Sequence, residues 1–293
     1  MSHEILAGTL ATMRIQLGHS PDSDDAFMFY GLANGLVKSD LQFEHILRDI
    51  QTLNDWAKEG KLESSAVSVH AFAHVADKYA LLRHGGSFGE GYGPMLVSKT
   101  VMSPEDIREA VIAVPGVLTS AFLELNLWFA DQFGEGVKPK FEVVMFDEII
   151  PAIQADKYKL GLIIHEGQLT YEEEGLVELA NMGKWWRDKT GGLPLPLGVN
   201  VVRKDLGPEA CKEVSRCMRE SIDAGLNERQ KALDYALQFA RGMDRNTSDT
   251  FVGMYVNDRT RDMGDDGVKA IRLLLSEGAR LGLVPPVDVE VID

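Results

Sequence analysis

Three stretches of this chain share one pattern: a short apolar or β-branched run, a small-polar turn, then an amphipathic helix. Arg14 to Leu17 leads through His19-Ser20-Pro21-Asp22-Ser23-Asp24-Asp25 into Ala26-Phe27-Met28-Phe29-Tyr30. Ser64 to Val69 leads into His70-Ala71-Phe72-Ala73, and Val111 to Val114 leads through Pro115-Gly116-Val117-Leu118-Thr119-Ser120 into Ala121-Phe122-Leu123. Strands that pair in parallel must be joined by a crossover, usually a helix, so this alternation points to an α/β architecture with mostly parallel sheets.

A chain of 293 residues is long for one core and suits two lobes. Residues 1–13 read as an extension outside the fold. Two extended, Gly/Pro-punctuated segments read as crossings between lobes. One lies near Gly93-Pro94-Met95-Leu96, the other runs through Gly192-Leu193-Pro194-Leu195-Pro196-Leu197-Gly198. The expected division is lobe one at 14–95 and 200–293, with lobe two inserted at 96–199. After Asp205 the pattern is helical: Glu209 to Ala224, Glu228 to Arg241, Ser248 to Tyr255 and Asp265 to Leu281. A lobe split around an insert, joined by two crossover segments, is the arrangement of a type II periplasmic-binding-protein fold. Gly85, Gly86, Gly89, Gly91 and Gly93 follow a helix-like run and lead into a strand, the reverse of a nucleotide-binding loop. They read as a flexible connection near the hinge.

Charge narrows the partners. Lys and Arg total 30 against 45 for Asp and Glu, a formal net charge of −15. Nucleic acid and anionic membrane surfaces are poor partners for such a chain, because both require phosphate neutralisation. A small anionic substrate is not excluded, since it responds to local donors. No apolar run approaches the roughly 20 residues that span a bilayer, and the N-terminal segment is a poor signal peptide. Cys211 and Cys217 lie six apart in a helical pattern, roughly 9 Å along the axis and beyond disulfide reach. Reduced thiols and a cytoplasmic setting follow as expectations. An acidic two-lobed chain with long C-terminal helices is also compatible with a homodimer.

Chemistry-bearing residues cluster at strand ends. Leu160-Gly161-Leu162-Ile163-Ile164 is an apolar run of strand length that stops at His165-Glu166. Ligands in open α/β sheets bind beyond the carboxyl ends of strands, which places His165 where a general base would wait. Glu166, on an extended continuation, would point to the opposite face. The turns at Ser20 to Asp25, Ser68 and Thr119-Ser120 carry hydroxyls or carboxylates where helices begin. Each is explained singly by N-capping, but three turns converging on one interlobe cleft favour binding of an anion. His70 and His74 have helical spacing but no third ligand, so no metal site is expected. Trp185-Trp186 suits either a pocket wall or core packing.

With these residues assembled, the chain resembles the 1,4-dihydroxy-6-naphthoate synthases of the futalosine route to menaquinone. The carrying segments are Ser20 to Tyr30, Thr52-Leu53-Asn54, Gly161 to Glu166, Trp185-Trp186, Gly192 to Gly198 and Tyr255-Val256-Asn257. The resemblance implies a cytoplasmic carbon–carbon lyase with the two-lobed fold and neither metal nor organic cofactor. Its substrate would be cyclic dehypoxanthine futalosine. It also implies His165 as proton acceptor, and Ala66, Val67, Ser68, Thr119, Ser120 and Ala121 as substrate contacts. Ser20 and Asp25 join them from the helix-start reading. The first turn departs from the family's usual Cys-Pro-Asn-Asp-Thr, reading Asp22-Ser23-Asp24-Asp25-Ala26 here, which puts contacts from that turn in question. Rival readings are a chorismate dehydratase of the same superfamily and a non-catalytic solute-binding or sensor protein.

Overall fold

The first apolar run forms β1 (Arg14–His19), with Ile15 and Leu17 wholly buried and Arg14 exposed at its start. It lies between β2 (Gln42–Leu47) and β3 (Ser64–Ser68), both parallel to it. These belong to a computed structural model that describes residues 13–240 and 244–293, so the expected extension lies outside the described residues except for Met13. All of β3 is buried. Its first two serines stay satisfied because Ser64 Oγ donates to the Val201 carbonyl and Ser65 Oγ to the Ala66 carbonyl, both at 2.9 Å.

The first sheet runs in the order β12-β4-β11-β3-β1-β2, where β4 is Tyr79–Leu82, β11 is Leu195–Arg203 and β12 is Val291–Ile292. A seventh strand, β5 (Ser87–Gly89), pairs with β11. The second sheet runs β10-β6-β9-β7-β8, comprising β6 (Met95–Ser98), β7 (Val111–Val114), β8 (Lys140–Val143), β9 (Leu160–Ile163) and β10 (Val177–Asn181). Both sheets are mixed, where the sequence pattern suggested mostly parallel pairing. The antiparallel members are β11, opposed to β3 and β4, and β6, opposed to β9 and β10. These are the two segments read as crossings. A strand not delivered by a helical crossover is free to pair antiparallel.

The chain divides into two compact units, 1–87 with 198–265 and 288–293, and 88–197 with 266–287. Most of the last long helix, Gly264–Arg280, therefore belongs to the second unit, whereas the sequence reading gave all of 200–293 to the first. Its apolar stripe includes Ile271, Leu274, Leu275 and Gly278. A Cβ on Gly278 would stand 3.2 Å from Leu123 of the second unit.

In the first unit, α1 (Ser23–Met28) is buried throughout. The helix Pro208–Asn227 brings Cys211, Val214, Met218 and Ile222, a stripe at helical spacing, onto the core around Ile15, Leu17, Phe27, Phe29 and Val202. Each fully buried side chain of this size stabilises by about 1.5–3 kcal/mol. Cys211 and Cys217 are free thiols.

The second unit buries Val97, Ala113, Ile149, Ile153 and Ile163 together. The glycines expected to make a loose connection are instead packed. A Cβ on Gly89 would lie 1.9 Å from the Tyr92 carbonyl oxygen, and one on Gly183 would lie 2.0 Å from the same oxygen. Trp186 is fully buried and donates Nε1–H to the Pro194 carbonyl at 2.9 Å, while Trp185 donates to Asp131 Oδ2 at 2.9 Å. The helix α2 (Ser120–Phe133) carries a carboxyl into this interior. Glu124 is fully buried, and neither of its oxygens has a hydrogen-bond partner among the described residues.

Candidate functional site

Three neighbouring parallel strands of the second sheet deliver their carboxyl ends to one edge. Ala113 of β7 aligns with Gly161 of β9 on one side and with Glu142 of β8 on the other. Beyond β7 the chain turns at Pro115-Gly116 and enters α2. Thr119 caps that helix: its Oγ1 accepts from Phe122 N–H at 3.2 Å and donates to the Gly116 carbonyl at 2.8 Å. Ser120 Oγ donates to the Leu197 carbonyl. Thr119, Ser120 and Ala121 are all buried.

Beyond β9 the backbone does not stay extended. Strand structure stops at Ile163, and His165 takes a left-handed conformation with φ of 54°. A side chain with a Cβ holds that conformation at about 1–2 kcal/mol, and histidine is among the residues found there more often than most. Glu166 follows in right-handed helical geometry (φ −59°, ψ −25°) and opens the short helix Gly167–Thr170. The alternation argument that sent Glu166 to the opposite face therefore lapses, because there is no extended continuation. The His165 ring, half-buried, stands 5.0 Å from the ring of Phe146, which enters from the chain just after β8.

The first sheet has an equivalent edge, formed by the carboxyl ends of β1, β2 and β3. The turn after β1 is a compact hydrogen-bonded knot. Ser20 N–H donates to Asp25 Oδ2 at 2.6 Å, and Ser20 Oγ donates to Asp22 Oδ2 at 2.5 Å. Burial, aided by the neighbouring Asp22 charge and opposed by the Ser20 N–H bond, pushes the Asp25 carboxyl up to about 7. His19, the last residue of β1, is held down to about 3, first by burial and then by His45. Its Nδ1 lies 3.0 Å from the Ser20 carbonyl, which can only accept, so Nδ1 carries the proton. His19 Nε2 is then an acceptor, and His45 Nδ1–H donates to it at 2.9 Å. His45 Nε2 remains a buried acceptor without a hydrogen-bond partner among the described residues.

At the end of β3, Ala66, Val67 and Ser68 are buried and pair with Asn200, Val199 and Gly198 of β11. Val67 is fully enclosed, which leaves its backbone rather than its side chain for any contact. Ser68 is gripped by Asn54, wholly buried on the helix Ile50–Glu59. Ser68 N–H donates to Asn54 Oδ1 at 2.9 Å, and Asn54 Nδ2 donates to Ser68 Oγ at 3.0 Å.

The residues singled out from sequence thus fall into two groups at strand carboxyl ends. Ser20, Asp25, Ala66, Val67 and Ser68 belong to the first unit. Thr119, Ser120, Ala121 and His165 belong to the second. Sequence reasoning gave no role to His19, His45 or Phe146. Asn54 entered only as part of a motif. None carried a local signal, because each acts through a partner 14 or more residues away.

Comparison with known proteins agrees with this architecture. The alkanesulfonate-binding protein SsuA of Xanthomonas axonopodis pv. citri, 11% identical, superposes with a TM-score of 0.69 over 93% of this chain and 94% of that one. Protein AF1704 of Archaeoglobus fulgidus, 39% identical, does so with a TM-score of 0.87 over 93% of this chain and 99% of its own. The two-lobed binding-protein fold follows. Two curated 1,4-dihydroxy-6-naphthoate synthases are each 37% identical: that of Thermus thermophilus over 93% of this chain and 96% of its own length, and that of Streptomyces coelicolor over 92% and 95%. The menaquinone-biosynthesis family model matches residues 15–280. This chain belongs to the menaquinone-biosynthesis family, with the 1,4-dihydroxy-6-naphthoate synthases among its relatives.

Proposed function

We propose that this enzyme cleaves cyclic dehypoxanthine futalosine to 1,4-dihydroxy-6-naphthoate, with His165 as the proton acceptor, in the cytoplasm. The observation that carries the reading is the left-handed backbone of His165, two residues beyond the carboxyl end of β9, with its ring 5.0 Å from that of Phe146. Backbone held in a sparsely populated region is most readily understood as serving a site. The names of the two curated relatives supply the reaction class.

In the proposed reaction, neutral His165 removes a proton from the substrate. The electron pair left on carbon drives cleavage of a carbon–carbon bond, and the released ring system aromatises. General-base catalysis contributes about 10²–10⁴-fold, so orientation and charge stabilisation must supply the remainder. The Ser68 hydroxyl and the backbone N–H groups at the start of α2 are assigned to holding the substrate's anionic oxygens.

The test is turnover of cyclic dehypoxanthine futalosine, followed by chromatography and mass, beside His165→Asn. Asparagine tolerates the left-handed backbone, so the turn is expected to persist while the base is lost and kcat falls about 10²–10⁴-fold. Equal activity in both proteins would remove His165 from its role. Binding without turnover by the wild type would shift the reading to a solute-binding or sensor protein, and turnover of chorismate instead would shift it to a dehydratase.

A further inference from the structure

The Asn54–Ser68 contact has a direction, and the direction has a consequence. Ser68 N–H can only donate, so the side-chain atom 2.9 Å from it must be the Asn54 oxygen. The amide orientation is thereby fixed, and the group 3.0 Å from Ser68 Oγ is the Asn54 NH2. An amide nitrogen cannot accept. Ser68 Oγ must therefore spend one lone pair on Asn54, and its own O–H has to point elsewhere. Among the described residues no acceptor takes that proton. Ser68 is nevertheless 4% exposed and Asn54 0%, so the pair sits where an unmet donor is unfavourable.

The other two hydroxyls at strand ends are committed differently. Thr119 Oγ1 donates to the Gly116 carbonyl and Ser120 Oγ to the Leu197 carbonyl, so neither offers its proton to a ligand. Of the three, Ser68 alone has its hydroxyl proton held in reserve.

We infer that Asn54 is a positioning residue that makes the Ser68 hydroxyl an obligate hydrogen-bond donor to an anionic oxygen already present in the bound substrate, a carboxylate. This rests on the assignment of Ser68 to the substrate in the proposed function. No bond to carbon is made or broken by the pair. Asn54 fixes a proton's direction, and the substrate oxygen receives it as a hydrogen bond.

The discriminating variant is Asn54→Asp. One carboxylate oxygen still accepts Ser68 N–H, so that bond to the backbone is kept. The other oxygen now takes the Ser68 hydroxyl proton, turning Ser68 from donor into acceptor. Ser68→Ala removes the hydroxyl outright, and the third protein combines both changes. A hydrogen bond to a charged group makes each single change worth about 10- to 100-fold, read as a rise in KM with kcat largely kept. A merely structural role would lower the active fraction and leave KM alone. The double variant is expected to be no worse than either single one, because both delete the same donated proton.

Multiplicative losses in the double variant would mean that Asn54→Asp acts by repelling the substrate, and would overturn the inference. So would an unchanged KM in either single variant. If Asn54→Asp does not fold, Asn54→Ala frees the hydroxyl to rotate without adding charge; a smaller rise in KM than for Ser68→Ala is expected, and no rise overturns the inference. If the wild type turns over no cyclic dehypoxanthine futalosine, the function reading fails separately. The same proteins are then titrated with 1,4-dihydroxy-6-naphthoate, and the inference stands only if its binding weakens in the same non-additive pattern.

Discussion

Glu124 gives this protein a measurable pH signature. Its carboxyl lies wholly inside the second unit, and burial raises its pKa well above the ordinary 4.5. Above pH 4.5 the unfolded chain releases this proton while the folded chain keeps it, so the unfolded state binds fewer protons. Folding stability then falls as pH rises, by about 1.4 kcal/mol per unit, until the folded-state pKa is passed. Below pH 4.5 the full contribution is present. In Glu124→Gln that dependence disappears while side-chain volume is kept. The intercept between the two proteins depends on how the buried amide fares, so the slope is the quantity to read. For a domain of this size 1 kcal/mol moves Tm by about 2–4 °C. The melting temperature of Glu124→Gln minus that of the wild type should therefore climb by about 3–5 °C per pH unit from pH 5 upward, then level off. Differential scanning fluorimetry of both proteins from pH 5 to 9 measures it, and shifts from every other group cancel in the difference. A flat difference would mean that Glu124 titrates alike in both states, and would refute the claim that it is buried as a neutral acid.

His19 supplies the opposite limb. Its folded pKa of about 3, depressed by burial and by His45, lies below the ordinary 6.5, so acid drives protons onto the unfolded chain first. Stability is complete above pH 6.5 and is lost by about 1.4 kcal/mol per unit as pH falls toward 3; His19→Phe should melt with a visibly shallower acid limb, and equal limbs would contradict the assigned burial. Gly183→Ala would put a Cβ 2.0 Å from the Tyr92 carbonyl oxygen and 2.1 Å from its carbon, with backbone rather than a flexible side chain in the way. Destabilisation of about 1–3 kcal/mol or more is expected in a chemical melt, and an unchanged midpoint would show that this approach is not close.

Much of this architecture is legible without coordinates, for identifiable reasons. The runs at Arg14, Ser64 and Val111 become β1, β3 and β7 because each pairs an apolar stretch with a polar turn, and both signals are local. The helical stripe at Cys211, Val214, Met218 and Ile222 is local in the same sense. What escapes the sequence is set by distant partners. The stripe of Gly264–Arg280 shows that one face is buried but not which unit it is buried against. The glycines at 89 and 93 look like flexible linkers until Tyr92, Gly183 and Leu195 are placed beside them. His165 is visible as a strand-end imidazole, yet its left-handed turn is not, since the preceding apolar run gives no reason to expect the strand to stop at Ile163. The grip of Asn54 on Ser68 spans 14 residues and two elements, beyond any periodicity.

The division of the chain into units also governs how it can be made. The units exchange the backbone at 87/88, 197/198, 265/266 and 287/288, four passages rather than the two anticipated. Neither unit is a contiguous stretch of polypeptide. On the ribosome, residues 88–197 emerge well before residues 266–287, so Leu123 precedes its neighbour Gly278 by more than half the chain's length. A gene fragment ending at Leu197 would lack the whole of 266–287, the second stretch of its own unit. To dissect this protein, the cut has to follow the contacts: the fragment 88–197 would need the segment 266–287 supplied alongside it or fused to it.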